Sequence, residues 1–218
     1  RFNYIFVTTS INENLIRILK NVEPYINEKK TLVITPCTSV PFWWYECLRN
    51  KYKSKLKKNL HNILKKNIKR KNLVGMTMWL SGKIVRPGSI KISHIQRGFP
   101  IKEVFYNKKR YVDVLRKDIQ KVCRSPSVKD IFSEIFIKSL NSLAFNLIAL
   151  KFSQNNFKLS KNKEAKNDIK KILEEGDFIL KYNNIKVPQT PISRINQTLS
   201  STKHTMSMLN AVKNKKKN

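Results

Sequence analysis

The sequence predicts an α+β protein: a basic helix packed on a small mixed or antiparallel sheet, with additional helices and an extended C-terminal tail. Three observations carry this. Phe2, Tyr4 and Phe6, then Met76, Met78 and Leu80, then Ile90 and Ile92, alternate with other residues at the period of strands. Longer stretches place apolar residues three to five apart, the spacing of a helix with one buried face. Positive charge is concentrated, with 10 basic and no acidic side chains in residues 51–72.

The elements follow in order. After the Phe2–Phe6 strand, Ile11, Leu15, Ile18, Leu19 and Val22 recur at helical spacing, with Pro24 beyond. Leu32, Val33 and Ile34 form a short apolar run that ends at Pro36. A long helix is expected from about Phe42 to Lys71, with Trp44, Leu48, Tyr52, Leu56, Leu60, Ile63 and Ile68 on one stripe. Strands follow around Met76–Leu80 and Ile90–Ile95, the second after a Pro87–Gly88 turn, and Ser81–Gly82 allows a bulge. Val104–Tyr106 reads as strand and Tyr111–Val122 as helix. Residues 131–152 are the most apolar stretch, a buried helix. Glu134, Lys138, Asn141 and Asn146 interrupt it, which argues against a membrane span. Residues 153–176 read as a polar helix or linker, and from Val187 the chain is rich in Pro, Thr, Ser and Asn. The expected division is an N-terminal α/β segment (1–40), an RNA-binding α+β domain (41–124), a helical extension (125–180) and an extended basic tail (181–218).

Composition narrows the function. The 218 residues carry 45 Lys and Arg against 14 acids, a net charge of +31. That excess points to a polyanionic partner, nucleic acid before an anionic membrane surface. A hydrophobic share of 40%, with 11 Phe, 7 Tyr and 3 Trp, is enough for a core. Three scattered cysteines without a C-x-x-C fit neither a disulfide framework nor a thiol metal site. The first residue is Arg1 rather than Met, which leaves a removed leader or an incomplete N-terminus.

The candidate RNA-binding residues are Lys51, Lys55, Lys57, Lys58, His61, Lys65, Lys66, Lys69, Arg70 and Lys71 on the basic helix. Lys83, Arg86, Lys91, Arg97 and Lys102 extend the surface onto the strands. At this density, with no acids to pair at i, i+4, lysines can follow a phosphate backbone. Catalysis is not expected. The acids Glu164, Asp168, Glu174, Glu175 and Asp177 have the spacing of a solvated helical face, and there is no H-E-x-x-H or P-loop. No cofactor and no metal are expected.

The centre resembles the C-terminal domain of the universal small-subunit ribosomal protein S-three. Gly75-Met76-Thr77-Met78-Trp79-Leu80 runs into Ser81-Gly82-Lys83-Ile84, thirteen residues precede Gly98, and Pro100-Ile101 follows. In that family the helix upstream lines the channel where messenger RNA enters. Lys57, Lys58 and His61 fall near the family's basic pattern. The family's Gly-x-x-Gly KH half has no counterpart, since residues 1–40 contain no Gly. The resemblance therefore implies a divergent structural constituent of the small ribosomal subunit, in a mitochondrial ribosome, with another organellar or a cytoplasmic ribosome as the alternative. Its partners would be ribosomal RNA, mRNA, neighbouring small-subunit proteins and a separate chain carrying the KH half. Gly98-Phe99-Pro100-Ile101 with the helix after it also resembles large-subunit ribosomal protein L-five. A basic RNA-processing factor and a membrane-peripheral protein are the remaining alternatives.

Overall fold

The computed structural model describes residues 2–9, 13–37, 41, 43, 70–105, 109–201 and 204–215. The chain is mixed α and β and divides into two compact units, Arg1–Ile135 and Phe136–Asn218.

The first unit is built on strands β1 (Tyr4–Phe6), β2 (Leu32–Cys37), β3 (Leu73–Thr77) and β6 (Ile101–Glu103), in the order β1-β2-β3-β6. The first three are parallel, with Tyr4 opposite Leu32 and Val33 opposite Leu73; β6 closes the sheet antiparallel to β3, with Gly75 opposite Lys102. Helix α1 (Glu13–Val22) connects β1 to β2, as a parallel pair requires. Alternation assigns the two faces. Val33 and Leu73 point to Leu15 and Leu19 of α1, and Ile131 and Ile135 join the same cluster. Leu32, Ile34, Val74, Met76 and Ile101 point the other way, onto Val112 and Leu115 of α2 (Lys109–Gln120). Both faces are thus covered by helices, which is why β2 and β3 read as continuous apolar runs.

A two-stranded ribbon, β4 (Trp79–Arg86) and β5 (Ser89–Gly98), is inserted between β3 and β6. It turns at Pro87–Gly88, where Gly88 takes φ +75°. At its base Gly98 has φ +71°, and a Cβ there would stand 2.0 Å from the Arg124 carbonyl oxygen. Phe99 N donates to that same oxygen (2.8 Å).

Helix α3 (Ile131–Phe152) gives its first turn to the first unit and the rest to the second. By length and apolar composition alone it passes for a membrane-spanning helix. In the second unit its Ala144, Phe145, Ile148 and Ala149 join a core with Leu159 of α4 (Asn156–Lys161), Ala165, Ile169 and Leu173 of α5 (Lys163–Tyr182), Ile195 and Leu199 of α6 (Pro191–Leu199), and Leu209 of α7 (Ser207–Lys215).

Several expectations change. The sheet is mixed, but its faces are covered by α1 and α2. The expected basic helix lies, apart from Trp43 and residues 70–71, outside the described residues. Its last residues, Arg70 and Lys71, belong to a 3-10 turn. The strand expected around Met76–Leu80 breaks at Met78, so that β3 joins the sheet and β4 the ribbon. The strand expected at Val104–Tyr106 lies at Ile101–Glu103. The C-terminal tail is not extended. Thr190 caps α6 by accepting from Ser193 N (3.2 Å), Pro191 fits its first turn, and Ile195 and Leu199 are buried.

Candidate functional site

Two places combine polar chemistry with burial. The first is the carboxyl edge of the parallel strands, where open sheets of this kind bind ligands. There Trp43 Nε1 donates to Thr35 Oγ1 (2.6 Å), and Thr35 Oγ1 donates to Val74 O (3.2 Å). Cys37 Sγ lies 3.3 Å from Met76 O, and burial pushes its thiol up to about 12. That thiol is a core group rather than a nucleophile. These contacts are neutral and inward-facing.

The second place lies wholly within the second unit, on α3. Lys138, Ser142 and Asn146 recur every four residues, so they form one polar stripe on a mostly apolar helix. Burial holds the Lys138 ammonium below the usual lysine range, because desolvation penalises its charged form. Asn146 is buried and uses both ends of its amide. Its Nδ2 donates to Ser142 O (2.7 Å) and Ser142 Oγ (3.2 Å). Its Oδ1 accepts from Ser207 Oγ (3.3 Å) and Met208 N (3.1 Å). The start of α7 is thereby fixed against the stripe. Ser142 Oγ acts as acceptor for Asn146, which leaves its own proton to donate. The arrangement gathers a desolvated cation, two hydroxyls and an amide.

A third feature of the same unit is structural. Arg194 is 1% exposed; it pairs with Asp177 and donates from Nη1 to Asn141 Oδ1 (3.1 Å), joining α3, α5 and α6. Asp177 also lines an open groove of about 570 Å³ with Lys181, Lys186 and Thr190. No group of three or more His, Cys, Asp or Glu suited to a metal occurs among the described residues.

The sequence-predicted residues lie elsewhere. Lys51, Lys55, Lys57, Lys58, His61, Lys65, Lys66 and Lys69 are outside the described residues. Lys71 pairs with Glu28 (3.0 Å), Arg97 with Glu134 (2.9 Å) and Lys102 with its neighbour Glu103 (3.8 Å). Lys83 is on β4, and Arg86 and Lys91 are exposed on the ribbon. None of them belongs to the stripe on α3. The signal for that stripe was present in the sequence: Lys138 and Asn146 are two of the four polar interruptions of the most apolar stretch, spaced to share a face.

Comparison with solved structures defines the fold. A protein from Ralstonia solanacearum MolK2 assigned as a ketopantoate reductase matches with a TM-score of 0.77 at 15% identity, over 95% of this chain and 64% of that one. D-mandelate dehydrogenase, solved with NADH and anilino(oxo)acetate, matches with a TM-score of 0.70 at 15% identity, over 95% and 62%. The 2-dehydropantoate 2-reductase from Methylococcus capsulatus matches with a TM-score of 0.62 at 12% identity, over 96% and 60%. The chain spans 60–64% of the length of these three structures. No protein-family model matches the sequence, and no curated protein matches it.

These matches correct the ribosomal reading. The fold is that of the reductase structures, not of protein S-three or protein L-five, and every structure named above is that of an oxidoreductase. The expectation of a non-enzymatic ribosome constituent therefore falls. With it fall ribosomal RNA, mRNA, small-subunit proteins and a KH-bearing chain as partners, and the RNA-processing and membrane-peripheral alternatives. The physical reason is visible at the glycines that carried the resemblance. Gly75 is a close approach of β3 to Ile131, whose Cγ1 would lie 2.6 Å from a Cβ. Gly98 is a close approach to the Arg124 backbone.

The dehydrogenase was solved with NADH. Close approach of a dinucleotide pyrophosphate to a strand-to-helix turn calls for glycine. Here the turn after β1 begins Val7-Thr8-Thr9, and no glycine precedes Gly75. The residues of this chain do not form that cradle.

Proposed function

We propose that this chain supplies the carbonyl-binding, proton-donating part of an oxidoreductase acting on a small 2-oxo acid or 2-hydroxy acid. The observation that carries the reading is Lys138, a lysine desolvated within an apolar helix and followed on the same stripe by Ser142 and Asn146. The reductase and dehydrogenase folds named above support it.

The chemistry follows from the groups present. A protonated amine in an apolar setting polarises a carbonyl oxygen placed against it, since little water competes for the charge. Its lowered proton affinity makes it a better donor to the alkoxide that forms when the carbonyl is reduced. Ser142, with its proton left free to donate, is placed to hold an oxygen of a bound carboxylate, while Ser207, at the start of α7, spends its proton on Asn146 Oδ1. Asn146 fixes both hydroxyls at 3.2 and 3.3 Å.

Binding tests this without a hydride donor. With lysines reductively ¹³C-dimethylated, titration of the full chain with anilino(oxo)acetate should shift the Lys138 resonance, and the shift should vanish in Ser142→Ala/Asn146→Ala. A Lys138 resonance unmoved at saturating ligand would sink the reading.

A further inference from the structure

We infer that the β4–β5 ribbon is a docking surface for an acidic, extended segment of a protein partner, which adds as a third strand along β5 at Ile90–Ile92. This is independent of the chemistry on α3. Among the described residues the ribbon pairs with no third strand, so its outer edges present unpaired backbone groups. Extra residues interrupt the ladder on β5 at 93 and 96–97 and on β4 at Val85, but Ile90–Ile92 stays in regular register, with Ile90 opposite Ile84 and Lys91 opposite Lys83.

The ribbon exposes Val85 (58%), Ile90 (69%), Ile92 (51%) and Ile95 (40%). Ile90 and Ile92 alternate on one face, with Gly82 opposite Ile92. Having no side chain, Gly82 leaves a shallow floor there, and a Cβ on it would stand 3.5 Å from Ile90 Cγ2. A cluster of exposed aliphatics of this kind marks an interaction surface.

Charge selects the occupant. Residues 79–98 include Lys83, Arg86, Lys91 and Arg97 and no acid, and the whole chain carries +31. A second copy would set like charges against each other, so the partner is acidic. The side chains select its class. Stacking of nucleic-acid bases needs rings. The ribbon's one Phe, Tyr or Trp, Trp79, is buried, and Arg97 is engaged by Glu134. A strand that alternates acidic and apolar side chains matches the ribbon instead: apolar ones beside Ile90 and Ile92, acidic ones beside Lys91.

The test is fluorescence anisotropy on the full chain at physiological ionic strength. The probe is a fluorescein-labelled peptide of about ten residues, strand length, alternating Glu and Val. The comparators are its Lys/Val counterpart and a single-stranded DNA oligonucleotide. The acidic peptide should bind, and Arg86→Glu/Lys91→Glu and Ile90→Ser/Ile92→Ser should each weaken it about tenfold. Amide exchange at Ile90 and Ile92 should slow in the complex. All four positions are exposed, and the melting temperature of each variant is measured alongside. The proposal is overturned by failure of the acidic peptide to bind, by equal binding of the basic peptide, by tighter binding of the oligonucleotide, or by indifference to both double substitutions.

Discussion

Arg97 Nη2 stands 2.9 Å from Glu134 Oε1, tying the end of the ribbon to the first turn of α3 within the first unit. Burial is the main influence on the Glu134 carboxyl and raises its proton affinity; Arg97 and the Trp79 indole pull it back toward the charged form. Arg97→Met leaves that carboxylate buried without its cation. The cost should be about 2 kcal/mol at pH 7, below that of a fully buried pair because Arg97 is partly solvated. With its folded value raised, Glu134 holds its proton more tightly folded than unfolded. The penalty therefore acts above the ordinary carboxylate value of 4.5 and fades as pH falls below it. Urea melts at pH 7 and pH 4 should show the variant converging on the parent at pH 4. An equal loss at both would exclude the charge as its source.

Lys138→Met should separate stability from binding. The ammonium holds its proton less tightly folded than unfolded, so it opposes folding below its folded value and ceases to do so as pH approaches 10.5. The difference in melting temperature between variant and parent should depend on pH as it approaches 10, while affinity for anilino(oxo)acetate falls at pH 7. A variant that melts well below the parent would make Lys138 a structural residue.

Arg194→Met strips Asp177 and Asn141 of a buried partner and should cost about 3 kcal/mol. Adding Asp177→Asn should cost less than its effect in the parent, because the two side chains form one unit. Denaturant unfolding of both single variants and the double variant measures this; strict additivity would refute the coupling.

Gly98 and Gly88 separate a steric clash from backbone strain. Both have positive φ, but a Cβ at Gly88 meets nothing within 4 Å, whereas at Gly98 it meets backbone. Gly88→Ala should cost about 1 kcal/mol and Gly98→Ala about 3 kcal/mol or more. Similar losses in thermal unfolding would contradict the close approach to Arg124.

The local elements were legible in the sequence where periodicity was strong: α3 spans the same 131–152 stretch that apolarity marked, and β5 and the Pro87–Gly88 turn follow their alternation. Pairing was not legible. Nothing local to Leu32–Cys37 or Leu73–Thr77 states that the two strands lie parallel, since that contact is made across residues 38–72. Read without it, Met76–Leu80 looked like one strand. The candidate site was obscured by charge: with 45 basic residues, the density of lysines drew the reading to residues 51–72. The lysine that stands out physically is Lys138, distinguished by its apolar neighbours rather than by number.

The parallel pairing of β2 with β3 also sets a sequence in time. Val33 reaches Leu73 only after the intervening chain has closed a long loop, and the entropy of that closure is spent before any ladder bond forms. The ribbon turns on two residues, and the helices of the second unit meet mostly near neighbours in the chain. In refolding, ribbon and helices should gain protection first and the central sheet last, leaving β2, with its apolar run Leu32–Ile34, the segment most exposed to misassociation while the protein forms.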